Sequence, residues 1–393
     1  MADWAMLPSA IIGTITGFLG LEDHARMGAV CRLWRLAMAD SFSRRPPVPT
    51  VWLINGPQGE FGGQGKFDFP GYSLGKRRNA LRITVEASSQ KICVGSSKGL
   101  LMLADNLSRL QAFNPITKTS LWFPQEYPFA AEDPTFTYVT WKSSYRKAIV
   151  VPPRGGRGGD DSVVVAILRR GDQYLSEVAF AVAGDSSWTE LRGSTYWFDD
   201  IAAHDGKLYA LGQDSSFPRV YVWDLGYKPR WSPVWPSAEI ELPPGWRNYW
   251  KRHLGVMSGE LILLWWDYCF QCPIRRLRCV PSFRVQRLQR SPRQEWIEIE
   301  DLGGHAIVLG ADGITVVPAD ESRWLWADCI YSSWDPPGYE GYPPGLTVFN
   351  LANGRVAFES ISVRSSSAFW FEPTLASPQS SLGYHAQQRS MSF

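Results

Sequence analysis

The sequence predicts a mainly β chain: a short unit of three helices at the N-terminus, followed by a β-propeller of five to six four-stranded blades. Three observations carry this. Apolar residues recur at three- and four-residue steps only as far as Asp40. Beyond the Pro-rich segment "SFSRRPPVPT" they fall into short β-type runs. Among those runs, a Gly-bearing turn between two apolar stretches returns five times at nearly even spacing.

The helical unit comes first. Pro8 suits a first helical turn, and Ile11, Ile12, Ile15, Phe18 and Leu19 then line one face. "GLED" interrupts the pattern, and Glu22 and Asp23 fit the positive N-terminus of a second helix. Val30, Leu33, Trp34 and Ala37 form the apolar side of a third, with Arg26, Arg32 and Arg35 facing elsewhere. Domains of roughly forty residues seldom bury enough surface alone, so this unit is expected to complete its core against a partner. Pro46, Pro47 and Pro49 then end helical structure and make a semi-rigid spacer.

The repeat begins with "KICVGSSKGLLML" and continues through "KAIVVPPRGGRGGDDSVVVAIL", "DIAAHDGKLYAL", "HLGVMSGELILLWW" and "HAIVLGADGITVV". Gly99, Gly155, Gly206, Gly259 and Gly313 mark the turns, at steps of 56, 51, 53 and 54 residues. A second strand pair succeeds each one: "LQAFNPITKTSLWF", "VAFAVAGDSSWTEL", "VYVWDLGYKPRWSPV", "FRVQRLQRSPRQEWIEI" and "LTVFNLANGRVAF". Four strands in about fifty residues is the period of a propeller blade, near the kelch spacing. The leftover strands "VWLIN", "ALRITVEA" and "AFWF" are expected to combine from both ends of the chain into a sixth blade that closes the ring. The expected organisation is therefore a helical unit at 1–42, a linker at 43–50, a propeller at 51–372 and a polar, disordered tail at 373–393.

Composition narrows the function. Forty Lys and Arg against 38 Asp and Glu give a net charge of +2, so no global field favours nucleic acid or anionic membrane. The N-terminus lacks the basic and apolar regions of a signal peptide, and the longest apolar run, "LILLWW", is far short of a membrane span. Six cysteines in 393 residues fit reduced thiols rather than a disulfide framework. The expected location is cytoplasm and/or nucleus, with neither nucleic acid nor membrane as a partner.

Motifs for catalysis or metal binding are weak. "GSSKG" at 95–99 places Ser97 in a G-x-S-x-G pattern, but a nucleophile elbow needs a helix after the turn, and "LLML" reads as a strand. Cys269, Cys272 and Cys279 have close spacing without an evident fourth zinc ligand. Arg275, Arg276, Arg278, Arg284, Arg287 and Arg290 form a basic run that strand alternation divides between two faces. Five scattered histidines make no cluster. Neither a catalytic residue nor a metal or other cofactor is expected. The candidate contact residues are aromatics on Pro-stiffened loops: Trp231, Trp235 and Trp246 in one, Trp334, Tyr339 and Tyr342 in another.

The N-terminal segment resembles the F-box, on Leu7, Pro8, Ile11, Ile12, Ile15, Leu19, Asp23, Arg26, Val30, Cys31, Arg32, Trp34 and Arg35. It departs from that pattern at Ala10, Gly13 and Gly17. The region from about Val48 to Glu359 resembles the plant KIB-type β-propeller, on "GSSKGLLMLADNLSRLQAFNPITK", "DDIAAHDGKLYAL", "SGELILLWW", "EWIEIEDLGGHAIVLG" and "DCIYSSWD" in that order. Together the resemblances imply a substrate-recognition subunit of an SCF-type (Skp-cullin-F-box) E3 ubiquitin ligase that performs no chemistry itself. Leu7, Pro8, Ile11, Ile12, Ile15, Leu19, Asp23, Val30, Cys31, Trp34 and Arg35 would dock the Skp-family adaptor and through it the cullin-RING ligase, and the propeller would hold the target protein. Two alternatives stand beside it: a propeller scaffold with a decayed F-box, and a serine hydrolase using Ser97.

Overall fold

In the computed structural model, the residues described are 7–16, 19, 23, 27–28, 30–37, 52–55, 65–73, 78–87, 91–105, 109–124, 145–151, 163–170, 175–182, 184–193, 197–213, 218–225, 234–242, 251–268, 281–289, 294–310, 313–319, 325–333, 345–360 and 368–371. One complete helix, α1 (Ser9–Thr16), lies among them, with helical turns at 27–28 and 32–37. No helix there is long and apolar enough to cross a membrane.

The strands form five four-stranded sheets and one of five strands. Chain order is kept closely. The first sheet holds β1 (Trp52–Asn55), β2 (Gly65–Ser73) and β3 (Arg78–Ala87), and the next holds β4 (Lys91–Ser97), β5 (Leu100–Asp105), β6 (Leu110–Asn114) and β7 (Thr119–Trp122). A third contains β8 (Tyr145–Val151), β9 (Val163–Arg170), β10 (Leu175–Ala181) and β11 (Thr189–Leu191). Then come β12 (Trp197–His204), β13 (Lys207–Gln213), β14 (Pro218–Asp224) and β15 (Ala238–Glu241), and after them β16 (Lys251–Met257), β17 (Glu260–Tyr268), β18 (Pro281–Gln289) and β19 (Glu295–Ile299). The five-stranded sheet holds β20 (His305–Gly310), β21 (Gly313–Pro318), β22 (Cys329–Ser332), β23 (Gly345–Asn350) and β24 (Val356–Ser360). The last strand, β25 (Ala368–Phe371), pairs with β1, so strands from both ends of the chain share one sheet.

Packing explains why the second strands are apolar without alternation. All six residues of β5 are buried, as are Leu261 to Trp266 of β17, because these two sheets are covered on both faces. One apolar cluster joins the β4–β7 sheet to the β8–β11 sheet, through Met102, Leu110, Val164 and Trp188. Another joins β8–β11 to β12–β15, where Phe198, Tyr221 and Trp223 stack within about 6 Å of one another. Further clusters continue around to Trp370 on β25, which packs with Ala306, Val308 and Leu346. The Ser96 hydroxyl donates to the Trp370 carbonyl, tying β4 to β25.

Three inner hairpins owe their shape to turn chemistry. Lys98–Gly99, Asp205–Gly206 and Ser258–Gly259 all have positive φ at both positions, the geometry of a type I′ turn, which matches strand twist. Gly155 lies outside the described residues. Gly313 does not fit the series. The β20–β21 hairpin is reversed in its sheet: β21 occupies the inner edge, and β20 pairs in parallel with β22, giving a fifth strand where four were expected. Gly313 (φ +118°) therefore lies beside Lys147 and Asp200, away from the three I′ turns. Space decides this placement: a Cβ at Gly313 would stand 2.6 Å from Lys147 Nζ, and one at Gly255 would stand 2.7 Å from Ile314 Cδ1.

Two boundaries also differ from the sequence reading. The outer strand of the β12–β15 sheet is Ala238–Glu241 rather than the segment ending at Val234. Val234 instead makes a parallel bridge to Leu191 of the preceding sheet, with its amide donating to the Glu190 carbonyl at 3.1 Å. The other is β2, a strand despite Pro70 and Gly71, which breaks register with β3 at Gly71/Tyr72.

Candidate functional site

The N-terminal module shows an unusual distribution of apolar surface. The Pro8 carbonyl accepts from the amides of Ile11 (3.0 Å) and Ile12 (3.2 Å), starting α1. Ile12 is 1% exposed, whereas Ile11 and Ile15 are 47% and 38% exposed. In the later turns the Arg35 amide donates to the Cys31 carbonyl at 3.0 Å, and Arg35 Nε donates to the Gly28 carbonyl at 3.0 Å. Val30, Leu33 and Leu36 are all more than half exposed. Nine large apolar residues are exposed among the described residues, and five of them fall between Ile11 and Leu36. Exposed apolar residues are thus concentrated in one short segment of the described chain.

Elsewhere in that module, Leu7, Leu19, Asp23, Cys31 and Trp34 are partly buried, and Pro8 and Arg35 are exposed. The third helical stretch thus turns Leu33 outward and Trp34 partly inward.

A second constellation lies at the propeller axis. β4, β8, β12, β16, β21 and β25 surround a cavity of about 350 Å³ bordered by Ser96, Lys98, Lys147, His204, Thr315 and Trp370. At its end remote from the I′ turns, paired polar residues recur 53 residues apart: Arg146–Lys147 on β8, Asp199–Asp200 on β12, Arg252–His253 on β16. Lys147 Nζ donates to Asp200 Oδ1 at 2.5 Å. The same carboxylate accepts from the amides of Ile201 (2.8 Å) and Leu254 (3.0 Å), and its Oδ2 is 3.4 Å from His253 Nδ1. Asp199 accepts from Arg252 (2.6 Å), Trp197 Nε1 (2.7 Å) and Arg146 (3.4 Å).

This packing sets the electrostatics. Burial opposes ionisation of Asp200, but the Lys147 charge and the His253 hydrogen bond outweigh it and hold its pKa lowered to about 2. Burial also lowers the pKa of His253, against the pull of Asp200, keeping the ring neutral at pH 7. The belt is therefore an ion pair flanked by a neutral imidazole, and it stitches three adjacent sheets together.

Of the aromatic loop candidates, Trp235 is described and is 62% exposed. Its neighbours are pinned: Val234 by the bridge to Leu191, and Ser237 by an amide donated to the Val222 carbonyl at 2.7 Å. Trp231, Trp246, Trp334, Tyr339 and Tyr342 lie outside the described residues, as do Cys269, Cys272 and Cys279. Ser97 ends β4 and leads through a two-residue turn into strand β5, where a nucleophile elbow would require a helix. Arg284 and Arg287 face carboxylates, Glu298 at 3.8 Å and Glu260 at 3.3 Å.

The profile of the KIB1-4 beta-propeller family matches residues 71–350. The chain belongs to this family. An F-box protein of Arabidopsis thaliana is 24% identical over 394 residues, covering 95% of this chain and 96% of its own. A second F-box protein from the same plant is 21% identical over 361 residues, covering 84% and 95%. Among solved structures, TolB from Acinetobacter baumannii aligns over 87% of this chain and 73% of its own, at 8% identity and a TM-score of 0.43. The KIB-type chain is thus similar over most of its length to plant proteins named for the F-box.

Proposed function

We propose that this chain is the substrate-recognition subunit of an SCF-type E3 ubiquitin ligase. Its N-terminal residues form an F-box that docks a Skp-family adaptor, and its propeller holds the target. The observation that carries the reading is the cluster of exposed Ile11, Ile15, Val30, Leu33 and Leu36 in a module too small to bury them itself. An amphipathic face of this kind is completed by the helices of a partner. On the same reading, three helices make up the module, and the propeller is a six-bladed ring closed by β25 beside β1. The continuous run of apolar clusters from the β4–β7 sheet round to Trp370 supports that closure.

The test is affinity capture from plant extract with proteasome and neddylation inhibitors present, comparing the full chain with Leu36→Arg. Adaptor and cullin are expected with the unaltered chain and absent with the variant, while target candidates are retained by both. Adaptor recovered equally with Leu36→Arg would contradict the docking face, and a chain that never recovers adaptor would favour a scaffold with a decayed F-box.

A further inference from the structure

The charge on the wall of the axial cavity is of one sign. Lys98, Lys147 and His204 border it, and among the described residues no Asp or Glu does. The chain as a whole balances 40 Lys and Arg against 38 Asp and Glu, so this bias belongs to the cavity. Lys147 is already neutralised by buried Asp200, 2.5 Å from its Nζ. Lys98 and His204 line the opposite end, formed by the I′ turns. Neither has an ion pair or hydrogen bond among the described residues, and Asp205, which follows His204 in its turn, is not part of the wall.

Lys98 also occupies a position that its turn would give to another residue type. It holds φ +54° at the first place of a type I′ turn, where Asn, Asp or Gly is favoured, and Asp205 fills the same place in the β12–β13 hairpin. The residue is exposed. An ammonium is thus kept at the cavity's edge in a backbone conformation that favours other side chains, a cost tolerated most often where a site needs it.

The middle of the wall is apolar. Ile149, Ala203, Val256, Ile314 and Val316 border it, and all but Ile149 are only partly buried although each packs against a core cluster. Apolar side chains left part-exposed inside a cavity are what the body of a small ligand covers. The volume, about 350 Å³, lies within the roughly 300–1,000 Å³ of small-molecule sites.

We propose that the axial cavity binds a small organic carboxylate with an apolar body. Its anionic head lies at the end bordered by Ser97, Lys98 and His204, and its body lies along Val256, Ile314 and Val316. This goes beyond target recognition, because it gives the propeller a small-molecule ligand of its own.

Octanoate and phenylpropanoate are the probes, one with an aliphatic and one with an aromatic body, and octanamide is the uncharged counterpart. Titration calorimetry on the purified full chain is expected to show at least one carboxylate filling a single site, and the tighter of the two identifies the body. Octanamide is expected to bind about tenfold more weakly than the tighter carboxylate, the order of one charge-assisted hydrogen bond. Lys98→Asn tests the head group. Asparagine suits the I′ turn, so the melting temperature is expected to hold or rise while carboxylate affinity falls about tenfold and octanamide affinity stays the same. Val256→Phe fills the apolar middle and is expected to abolish carboxylate binding. Lys207→Gln, outside the cavity wall, is expected to change nothing. Melting curves establish that each variant is folded, and exposed Lys98 keeps the test valid should Val256→Phe unfold the chain. Failure of both carboxylates to bind, octanamide binding as tightly as they do, or unchanged carboxylate affinity in Lys98→Asn overturns the proposal. Because adaptor and target are absent, these outcomes stand apart from a failure of the receptor reading.

Discussion

Residues 7–37 and the propeller arrange polarity in opposite ways. The propeller buries long apolar strands and also buries an ion pair, Lys147 with Asp200, at its axis. The N-terminal module leaves five large apolar residues in solvent and buries Ile12 and Thr16. The difference teaches which part is self-sufficient. Sheets that cover each other on both faces saturate their apolar surface, whereas the one helix and two helical turns described in the N-terminal module leave most of theirs exposed.

The sharpest way to break the propeller side of this comparison is Trp223→Ala. Trp223 is fully buried among Phe198, Tyr221 and the β8–β11 sheet, so its loss is expected to cost about 3–5 kcal/mol. Thermal melting reads this. Adaptor binding measured below the transition is expected to survive, because the docking residues proposed above lie elsewhere. A loss of both together would mean that the two regions are not separable.

Asp200→Asn probes the axial belt, with an expected cost of roughly 3 kcal/mol from leaving Lys147 without its carboxylate in a buried site. The acid limb of stability carries the more specific signature. His253, with its pKa lowered in the fold, must take up a proton on unfolding, so stability starts to fall as pH drops below its ordinary 6.5. Asp200, also lowered, adds a second loss as pH falls from its ordinary 3.8 toward about 2, worth roughly 2 kcal/mol. Urea unfolding across pH should show both phases in the unaltered chain, and Asp200→Asn should remove the lower one. An unchanged acid limb would mean that Asp200 does not hold its charge in the fold.

On the N-terminal side, Gly13→Ala offers the smallest effect. A Cβ at Gly13 meets nothing within 4 Å and its φ is ordinary for a helix, so alanine should stabilise α1 by about 0.5–1 kcal/mol. Tighter adaptor binding by a modest factor is the expected readout in titration. A weakened complex would show instead that the partner packs against the bare backbone there.

Much of this arrangement was legible in the sequence, and the misses have physical causes. Ile11, Ile12 and Ile15 disclosed an apolar helix, but spacing cannot say which of them stays in solvent without knowing the partner. Gly99, Gly206 and Gly259 marked inner hairpins correctly because Lys-Gly, Asp-Gly and Ser-Gly suit type I′ turns. Gly313 kept the same interval yet serves a reversed hairpin, since spacing carries no information about which strand takes the inner edge. The dipeptides Arg146-Lys147, Asp199-Asp200 and Arg252-His253 stand at a constant step in the chain. Apolar periodicity passes over them, and their opposite charges become neighbours only once β8, β12 and β16 are known to lie side by side. Val234 joined the wrong strand because its bridge is to the preceding sheet, a contact no local pattern encodes.

The central claim is that the N-terminal apolar face docks an adaptor while the propeller folds on its own resources. Calorimetric titration of a Skp-family adaptor into the full chain and into Val30→Arg/Leu33→Arg, with a melting curve on each, tests it most directly. The account predicts that the unaltered chain binds, that the double variant loses binding, and that both melt at the same temperature. Undiminished adaptor affinity in the double variant, or a propeller that melts earlier once those two exposed residues are changed, would contradict it.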